Sequence, residues 1–299
     1  MINFNNLAEL IALAEKKNVP IHEVVIAREM HTSMRSREKI VGEMANNWAV
    51  MQASIEQGLK NREKSLSGLT GGDARRLAAY SEKTGGNSPY LGAAALQAAA
   101  AAVGVNEVNA VMGRIVACPT AGSCGILPAA LYAASQRGVA EDRLVLALFT
   151  AAGIGMVIDQ NASIAGAAGG CQAECGTAAS MAAGALTEVA GGTPQQVGEA
   201  VALSLKNLLG LVCDPVAGLV EVPCVKRNGF AVVEAMLASD MALAGIKSVI
   251  PVDEVIDAMD RIGRALPKSL RETSQGGLAV TPTARRIERE LHSRNEGRN

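Results

Sequence analysis

Six cysteines carry the strongest chemical signal in this sequence of 299 residues. Thiolates bind transition metals and iron–sulfur clusters, whereas buried thiols often serve only to fill a core. The cysteines are Cys118, Cys124, Cys171, Cys175, Cys213 and Cys224. Because no two of them form a CxxC pair, the common zinc-ribbon pattern is absent. Their types and spacing therefore allow either packing thiols or a site that holds a metal or a cluster.

Three cysteines stand beside glycine or proline in predicted loops. They are Cys171 in GGCQ, Cys213 in LVCDPVAG and Cys224 in EVPC. Loops let backbone N–H groups point at cluster sulfides, which favours a cluster site. Cys175 follows Cys171 by four residues, and on a helix it would lie on the same face. Geometry alone therefore leaves four candidate ligands.

The segment from Val116 to Cys224 is rich in glycine and cysteine and poor in charge. Its loops read ACPTAGSCG, QNASIAGAAGGCQ and VCDPVAGLVEVPC, and two more glycine-bearing loops, SLSGLTGGDARR and EKTGGNSPY, precede it. Backbone groups in buried loops must find hydrogen-bond partners in other loops or in a bound group. This segment is therefore the predicted functional site.

Helices must position these loops. Hydrophobic residues make up 49% of the chain and aromatic residues only 2%, so the core consists of thin side chains between closely packed helices. We predict an all-α fold, a dense multi-helix body rich in Ala and Gly with cysteine-bearing loops converging on the site. We predict an N-terminal helical region in residues 1–64 and the cluster- and substrate-binding region in residues 65–299, with one continuous domain as the alternative. Predicted helices cover about 32–64, 127–134, 143–158, 176–190, 194–208, 229–246 and 252–265.

Composition excludes several classes of protein. The net charge of −1 lacks the basic excess of a nucleic-acid-binding protein. The apolar run from Leu144 to Ile158 is shorter than the about 20 residues of a membrane span, and we interpret it as a core helix. The N-terminus reads as an amphipathic helix rather than a signal peptide. We therefore expect a cytoplasmic protein with reduced thiols, whose basic stretch from Ala284 to Asn299 is a solvated helix end or tail.

Long motifs in this chain resemble the α chain of the bacterial iron–sulfur-dependent L-serine dehydratase. They are GGCQAECGTAASMAAG, NLLGLVCDPVAGLVEVPCVKRN, ACPTAGSCGILPA, NASIAG and LPKSLRETSQGGLA, and the resemblance covers essentially the whole sequence. It implies a [4Fe–4S] cluster on Cys171, Cys213 and Cys224, with the fourth iron open for the substrate hydroxyl. The remaining three cysteines do not fall on ligand positions. In some members a C-terminal cysteine can occupy the active site, but this sequence ends HSRNEGRN.

The implied reaction is the deamination of L-serine to pyruvate and ammonia, which begins as a dehydration. An iron without a protein thiolate can act as a Lewis acid on the departing hydroxyl. Hydrogen-bond donors on the substrate carboxylate would make the Cα proton more acidic. We predict that the loops before helices supply them. The candidate substrate contacts are Thr120, Gly122, Ser123, Asn161, Ser163, Gly72 and Asp73.

The general base is not apparent in the sequence. The histidines His22, His31 and His292 lie outside the glycine-rich loops, and the nearby Glu174, Asp214 and Lys206 carry no signature of proton abstraction. The family has a second component, the β chain, so we expect a heteromer in which this partner supplies the base.

Other functions fit the sequence less well. A pyridoxal-phosphate lyase needs a Schiff-base lysine, and residues 116–205 contain no lysine. The segment GIGMVI does not fit the dinucleotide-binding motif GxGxxG, because it lacks the third glycine of that motif. Three alternatives remain: an iron–sulfur L-cysteine desulfidase-type lyase, a non-catalytic cluster-binding protein, and a zinc site on Cys171, Cys175, Cys213 and Cys224.

Overall fold

Helices form the regular secondary structure of this chain. The computed structural model describes residues 3–84 and 88–296, and within them it contains thirteen α-helices and, apart from one isolated backbone bridge, no β-structure. The predicted all-α class is confirmed; three residues of the EKTGGNSPY loop, 85–87, lie outside the described residues. The helices are α1 (Leu7–Lys17), α2 (Ile21–Ser33), α3 (Arg37–Lys60), α4 (Asp73–Ser81), α5 (Gly92–Ala110), α6 (Ile126–Gln136), α7 (Glu141–Asn161), α8 (Gly166–Gly169), α9 (Thr177–Val189), α10 (Pro194–Asn207), α11 (Cys224–Leu243), α12 (Val252–Ala265) and α13 (Pro282–Glu296).

Helix α9 lies at the centre of the fold, packed against α6, α7, α10 and α11. Nearly all of its residues are small and buried. A Cβ at Gly184 would lie 2.3 Å from Ile154 on α7 and 3.2 Å from Val201 on α10, so glycine is required for the three helices to approach this closely. Thin side chains thus allow the dense packing that the composition predicts.

The alanine-rich helix α5 forms a second packing centre, in contact with α3, α4, α6 and α11. It crosses α3 where two glycines meet: a Cβ on Gly58 would lie 2.3 Å from the carbonyl group of Gly104. The two centres share α11, whose first residue is Cys224. Helix α11 therefore couples the helical core to the cysteine-bearing loops.

The predicted bounds of α3, α6, α7 and α11 were wrong by up to five residues. The long third helix begins at Arg37 because Met34 adopts a left-handed conformation and the side chain of Ser36 accepts a hydrogen bond from the N–H of Lys39. Helix α11 begins at Cys224 rather than near residue 229, so Cys224 lies on a helix and not in a loop. Gly72 occupies the N-cap of α4, and Asp73 is the first residue inside the helix.

Helix α7 is long and apolar enough to cross a membrane by length and composition alone. Of its most apolar 18-residue stretch, 61% is buried, mainly against α2 and α9. It is a core helix, as we predicted from its sequence. Side chains of α1, α2 and α3 belong to the same hydrophobic core as those of α5 to α12, and the division at residue 64 stays a prediction.

Candidate metal centre

Cys171, Glu174 and Cys213 bring their side chains together in the loop region. Their Sγ and carboxylate atoms all lie within 4.8 Å of one another. Both cysteines are buried, 2% and 3% exposed, whereas Glu174 is partly accessible. Thiolates and carboxylates are metal ligands, so this is a candidate metal centre.

A π-helical turn, Gln172–Gly176, positions Cys171 and Glu174. The turn follows Gly170, whose φ of 77° favours glycine. The side-chain amide of Gln172 holds this turn in place through two hydrogen bonds. Its Nε2 donates to the carbonyl of Met259 at 2.9 Å, and its Oε1 accepts from the N–H of Gly210 at 2.9 Å. Such π-turns are frequent at functional sites, where they change the direction of a side chain within a helix.

Cys213 is held by backbone pairing with the segment after α12. Its N–H donates to the carbonyl of Leu270 at 2.9 Å, and its carbonyl accepts from the N–H of Glu272 at 2.8 Å. These bonds form the isolated parallel bridge between Cys213 and Arg271. The predicted motifs LVCDPVAG and LPKSLRETSQGGLA therefore meet at the candidate metal centre.

Arg227 on the first turn of α11 supplies the positive charge of the site. Its Nη1 donates to Sγ of Cys171 at 3.2 Å and to the carbonyl of Val212 at 2.8 Å, and its Nη2 pairs with Asp214 at 3.0 Å. Hydrogen bonds from the thiols of Cys175 and Cys213, together with Arg227, lower the pKa of Cys171 well below its ordinary value. The hydrogen bond to Cys171, burial and the charge of Cys171 raise the pKa of Cys213, so the first thiolate forms at Cys171.

Asp214 links Arg227 to the C-terminal part of the chain through its two carboxylate oxygens. Its Oδ1 faces Arg227, and its Oδ2 accepts from the N–H of Leu278 at 2.8 Å. A Cβ at Gly277 would lie 2.4 Å from Oδ2 of Asp214, which explains why glycine stands there. The GGLA motif therefore packs on the carboxylate that orients Arg227.

The carboxylate of Glu174 faces the two thiols. Its Oε2 lies 3.9 Å from Sγ of Cys171 and 3.9 Å from Sγ of Cys213, and Oε1 accepts a hydrogen bond from Oγ1 of Thr120 at 2.9 Å. A Cβ at Gly166 would lie 2.6 Å from Oε2, so this glycine makes room for it. Burial first, and the charge of Cys171 second, raise the pKa of Glu174 to about 7.

The other two candidate thiols lie beside this group. Cys175 is buried and hydrogen-bonded to Cys171. Cys224 is 7% exposed at the start of α11, and burial raises its pKa to about 12. Of the three predicted ligands, Cys171 and Cys213 meet directly, and Cys224 lies outside their 4.8 Å group.

The predicted substrate loop ACPTAGSCG borders the site. Besides its bond to Glu174, Thr120 contacts the Ser123 hydroxyl at 3.2 Å. Asn106 and Asn228 each donate to the carbonyl of Gly122 at 2.8 Å and so fix the loop between α5 and α11. A Cβ at Gly122 would lie 3.5 Å from Glu174, which places this glycine at the candidate metal centre.

The other predicted substrate contacts have partners within the chain or lie farther along the fold. Asn161 donates to the carbonyls of Asn5 and Val157, and Ser163 accepts from the N–H of Ala165. Ser163 also lines a cavity beside α8. Their roles in binding stay predictions.

Gly72 and Asp73 stand at the N-terminus of α4, where Glu107 already provides a carboxylate. Oε1 of Glu107 accepts from the N–H of Asp73 at 2.8 Å, and the Asp73 side chain pairs with Arg76 and Lys226. The helix N-terminus that was predicted to hold a substrate carboxylate is therefore occupied by the protein's own side chain.

Sequence reasoning missed Arg227 and gave Glu174 no role. A signal existed for each: Arg227 follows Cys224 by three residues, one helical turn, and Glu174 is the single charged residue between Asp159 and Glu188. Neither signal reveals which sulfur the charge meets, because that contact joins segments distant in sequence.

Comparison with known proteins agrees with this geometry. The family model "Serine dehydratase alpha chain" matches residues 16–279, a span that contains all the residues of the candidate metal centre. The chain belongs to the serine dehydratase alpha chain family. The predicted resemblance is thereby confirmed.

Relatives of this serine dehydratase alpha chain family member extend over nearly the whole chain. It is 52% identical to the probable L-serine dehydratase, alpha chain, of Bacillus subtilis (strain 168), over 96% of this chain and 95% of the relative. It is 41% identical to the L-serine dehydratase, alpha chain, of Peptoniphilus asaccharolyticus, over 96% and 98%. The L-serine dehydratase 1 of Escherichia coli (strain K12) is 38% identical over 93% of this chain and 62% of its own length.

Proposed function

We propose that this chain is the α chain of an L-serine dehydratase, a lyase that converts L-serine to pyruvate and ammonia. The observation that carries the proposal is the buried group of Cys171, Cys213 and Glu174 around an arginine–thiolate contact, within a member of the serine dehydratase alpha chain family. Loss of the Cα proton and the β-hydroxyl gives 2-aminoacrylate and water. Aminoacrylate tautomerises to the imine, and water hydrolyses the imine to pyruvate and ammonia.

The residues of the site fit an iron–sulfur cluster. Two thiols within 4.8 Å of each other, a third thiol at the start of α11 and a guanidinium on one sulfur supply the donors and charge compensation that such a cluster needs. Cys171, Cys213 and Cys224 would hold a [4Fe–4S] cluster in this proposal. A reducing compartment, the cytoplasm, keeps these thiols available as ligands.

When bound, the cluster would supply a Lewis acid for the substrate hydroxyl. The chain's own residues would do the rest. Hydrogen bonds from Cys175 and Cys213, together with Arg227, favour the thiolate form of Cys171. Thr120 orients the carboxylate of Glu174 through a 2.9 Å hydrogen bond. The loop of Thr120, Gly122 and Ser123 would present hydroxyl and N–H groups to the substrate.

The proposed enzyme needs a second chain. The names of the two alpha-chain relatives support a β chain as partner. Of the three histidines, His22 contacts Glu188 at 2.7 Å, and no histidine belongs to the candidate metal centre in residues 3–84 and 88–296. We therefore assign the general base to the β chain.

Anaerobic co-purification with a candidate β chain tests the activity. Pyruvate formation from L-serine is measured for each chain alone and for the pair. We expect turnover only from the pair, loss of activity in air and recovery with ferrous iron. Full activity of this chain alone would contradict the split site, and absence of pyruvate from an iron-loaded pair would reject the function.

Iron and sulfide analysis tests the ligand set independently of activity. After anaerobic reconstitution we expect about four irons and four sulfides per chain. Cys224→Ala should lose the cluster, and its matched control Cys175→Ala should retain it. The reverse result would move the third ligand to Cys175, and zinc without sulfide in the purified chain would refute the cluster.

A further inference from the structure

We propose that Arg271 binds the carboxylate of L-serine in a cavity beside the candidate metal centre. This inference rests on the proposed function, but its carboxylate-binding step can be measured without turnover. Neither the predicted substrate loop nor the predicted ligand set includes this residue.

The first observation is an unsatisfied donor. Nε of Arg271 is buried and has no hydrogen-bond partner among the described residues. The guanidinium makes one hydrogen bond in this part of the chain, from Nη1 to the carbonyl of Ala168 at 3.3 Å. The donors of its Nε–Nη2 edge therefore have no partner among the described residues. That edge presents two parallel N–H groups, the geometry that matches the two oxygens of a carboxylate.

The second observation is the space next to this edge. Arg271 lines a cavity of about 280 Å³ together with Ser163, Ala168, Gly169 and Arg264. A single water accounts for about 30 Å³ of liquid volume, so the cavity has room for a small amino acid. Ser163 belongs to the NASIAG motif, which the sequence independently indicates as a substrate contact.

The third observation is the charge of the cavity. Arg264 pairs with Asp260, Nε to Oδ2 at 2.8 Å, so these two charges compensate each other. Arg271 forms no ion pair within residues 3–84 and 88–296. A partly buried cation without a counterion is costly, and a bound carboxylate would remove that cost.

The fourth observation is the connection to the candidate metal centre. Arg271 forms the backbone bridge with Cys213, and paired strands lie about 4.8 Å apart. Ala168 lies two residues after Gly166, where a Cβ would be 3.2 Å from Sγ of Cys213. The carboxylate cavity and the candidate metal centre therefore share the same two chain segments.

Backbone strain in the same segment fits a binding role. Glu272 and Ser274 have φ values of 62° and 55°, a left-handed conformation that is uncommon for residues other than glycine. Such strain persists where the surrounding structure fixes a functional geometry. Here the strained turn immediately follows Arg271.

Kinetics of the reconstituted α–β enzyme test the proposal. Arg271→Gln removes the charge, and Arg271→Lys keeps it but loses the two-pronged geometry. We expect KM for L-serine to rise about 10- to 100-fold in Arg271→Gln and less in Arg271→Lys. We expect kcat to fall as well, because donors on the carboxylate also favour loss of the Cα proton, but the larger change should be in KM. The matched control Arg261→Gln, an exposed arginine on α12 outside the cavity, should leave KM within about twofold.

Inhibitors identify which substrate group is recognised. 3-Hydroxypropionate, which has the carboxylate and hydroxyl of serine, should compete with L-serine in the wild type and lose that competition in Arg271→Gln. Ethanolamine, which lacks the carboxylate, should inhibit both proteins equally. An unchanged KM in an Arg271→Gln enzyme of normal iron content would overturn the proposal, as would an equal effect in Arg261→Gln.

Calorimetry with 3-hydroxypropionate separates failure of this proposal from failure of the proposed function. If the wild-type pair makes no pyruvate but its binding isotherm is lost in Arg271→Gln, the carboxylate site stands and the reaction is wrong. If pyruvate forms and binding is the same in both proteins, the carboxylate site is wrong. Thermal unfolding and iron content of each variant exclude simple misfolding.

Discussion

Two pairs of buried cysteines have different surroundings, although they are almost equally inaccessible. Cys118 and Cys124 are 6% and 0% exposed, and Cys171 and Cys213 are 2% and 3% exposed. The Sγ of Cys118 contacts only the backbone carbonyls of Val116 and Cys124, at 3.5 and 3.6 Å. In the other pair, Arg227 donates to Cys171 and Glu174 lies beside both sulfurs.

The two pairs of cysteines differ in the chemical groups around their sulfur atoms rather than in how deeply they are buried. Burial raises the pKa of Cys118 and Cys124, the latter to about 12, so both remain protonated in the core. Hydrogen bonds and Arg227 overcome burial at Cys171 and lower its pKa. The groups that face a sulfur, and not its burial alone, therefore decide whether a buried thiol ionises, as Cys171 does and Cys118 does not.

The largest expected effect is on iron content. Cys213→Ala should abolish the cluster, because it removes one of the three thiolates that we propose as ligands. Cys118→Ala should retain about four irons per chain and lose only about 1 kcal/mol of stability from packing. Iron and sulfide analysis after anaerobic reconstitution measures both variants. Loss of iron in Cys118→Ala would erase the distinction between the two pairs.

A smaller effect is expected from removing the cation. Arg227→Gln should weaken iron binding about 10- to 100-fold, the usual consequence of losing a partner that orients and stabilises a ligand. The loss of cluster absorbance in the presence of a chelator measures the rate and extent of iron release. Lys226→Gln is the matched control, since Lys226 pairs with Asp73 and not with a thiol. Equal release from both variants would mean that Arg227 does not act through Cys171.

The smallest effect concerns the half-buried carboxylate of Glu234, which, like Cys118, has no charged partner among the described residues. Burial raises the pKa of Glu234 to about 7, and its hydrogen bond from Ser204 at 2.8 Å only partly opposes the shift. The folded state then binds more protons than the unfolded state between pH 4.5 and 7, so stability falls as the pH rises through this range. Well above pH 7 the stability contributed by the protonated form of Glu234 is fully lost.

Glu234→Gln should remove this loss. Relative to wild type, the variant should gain on the order of 1–3 kcal/mol in free energy of unfolding between pH 5 and pH 8. Urea unfolding of the reduced chain at the two pH values measures the change. Asp240→Asn, an exposed change on the same helix, serves as control. A pH-independent difference between Glu234→Gln and wild type would argue against a raised pKa.

Local sequence patterns predicted much of the helical fold. Helix α12 was predicted with its observed bounds, and α9 and α10 were predicted to within one residue at each end, because periodic apolar residues are flanked there by glycine or proline. The errors at the starts of α3 and α11 came from overlooking local signals, the N-cap serine Ser36 and Pro223 just before α11. Composition alone indicated the close helix packing now seen at Gly58 and Gly104.

The sequence by itself determined the all-α class, the family and the loops in which chemistry would occur. These follow from residue type, periodicity and long motifs, all of which are local properties of the chain. It also separated the loop cysteines from the rest, but it left four thiols as candidate ligands.

Only the tertiary structure decided which groups distant in sequence meet at the candidate metal centre and at the N-terminus of α4. Arg227 reaches Cys171 across 56 residues, Arg271 pairs with Cys213 across 58, and Glu107 fills the N-terminus of α4 from 34 residues away. Such contacts have no local signature, because hydrogen bonds and charge pairs depend on distance in space and not along the chain. Three features therefore became visible only in the folded molecule. They are the contact of Arg227 with the sulfur of Cys171, the unused donors of Arg271 and the carboxylate of Glu107 at the N-terminus of α4.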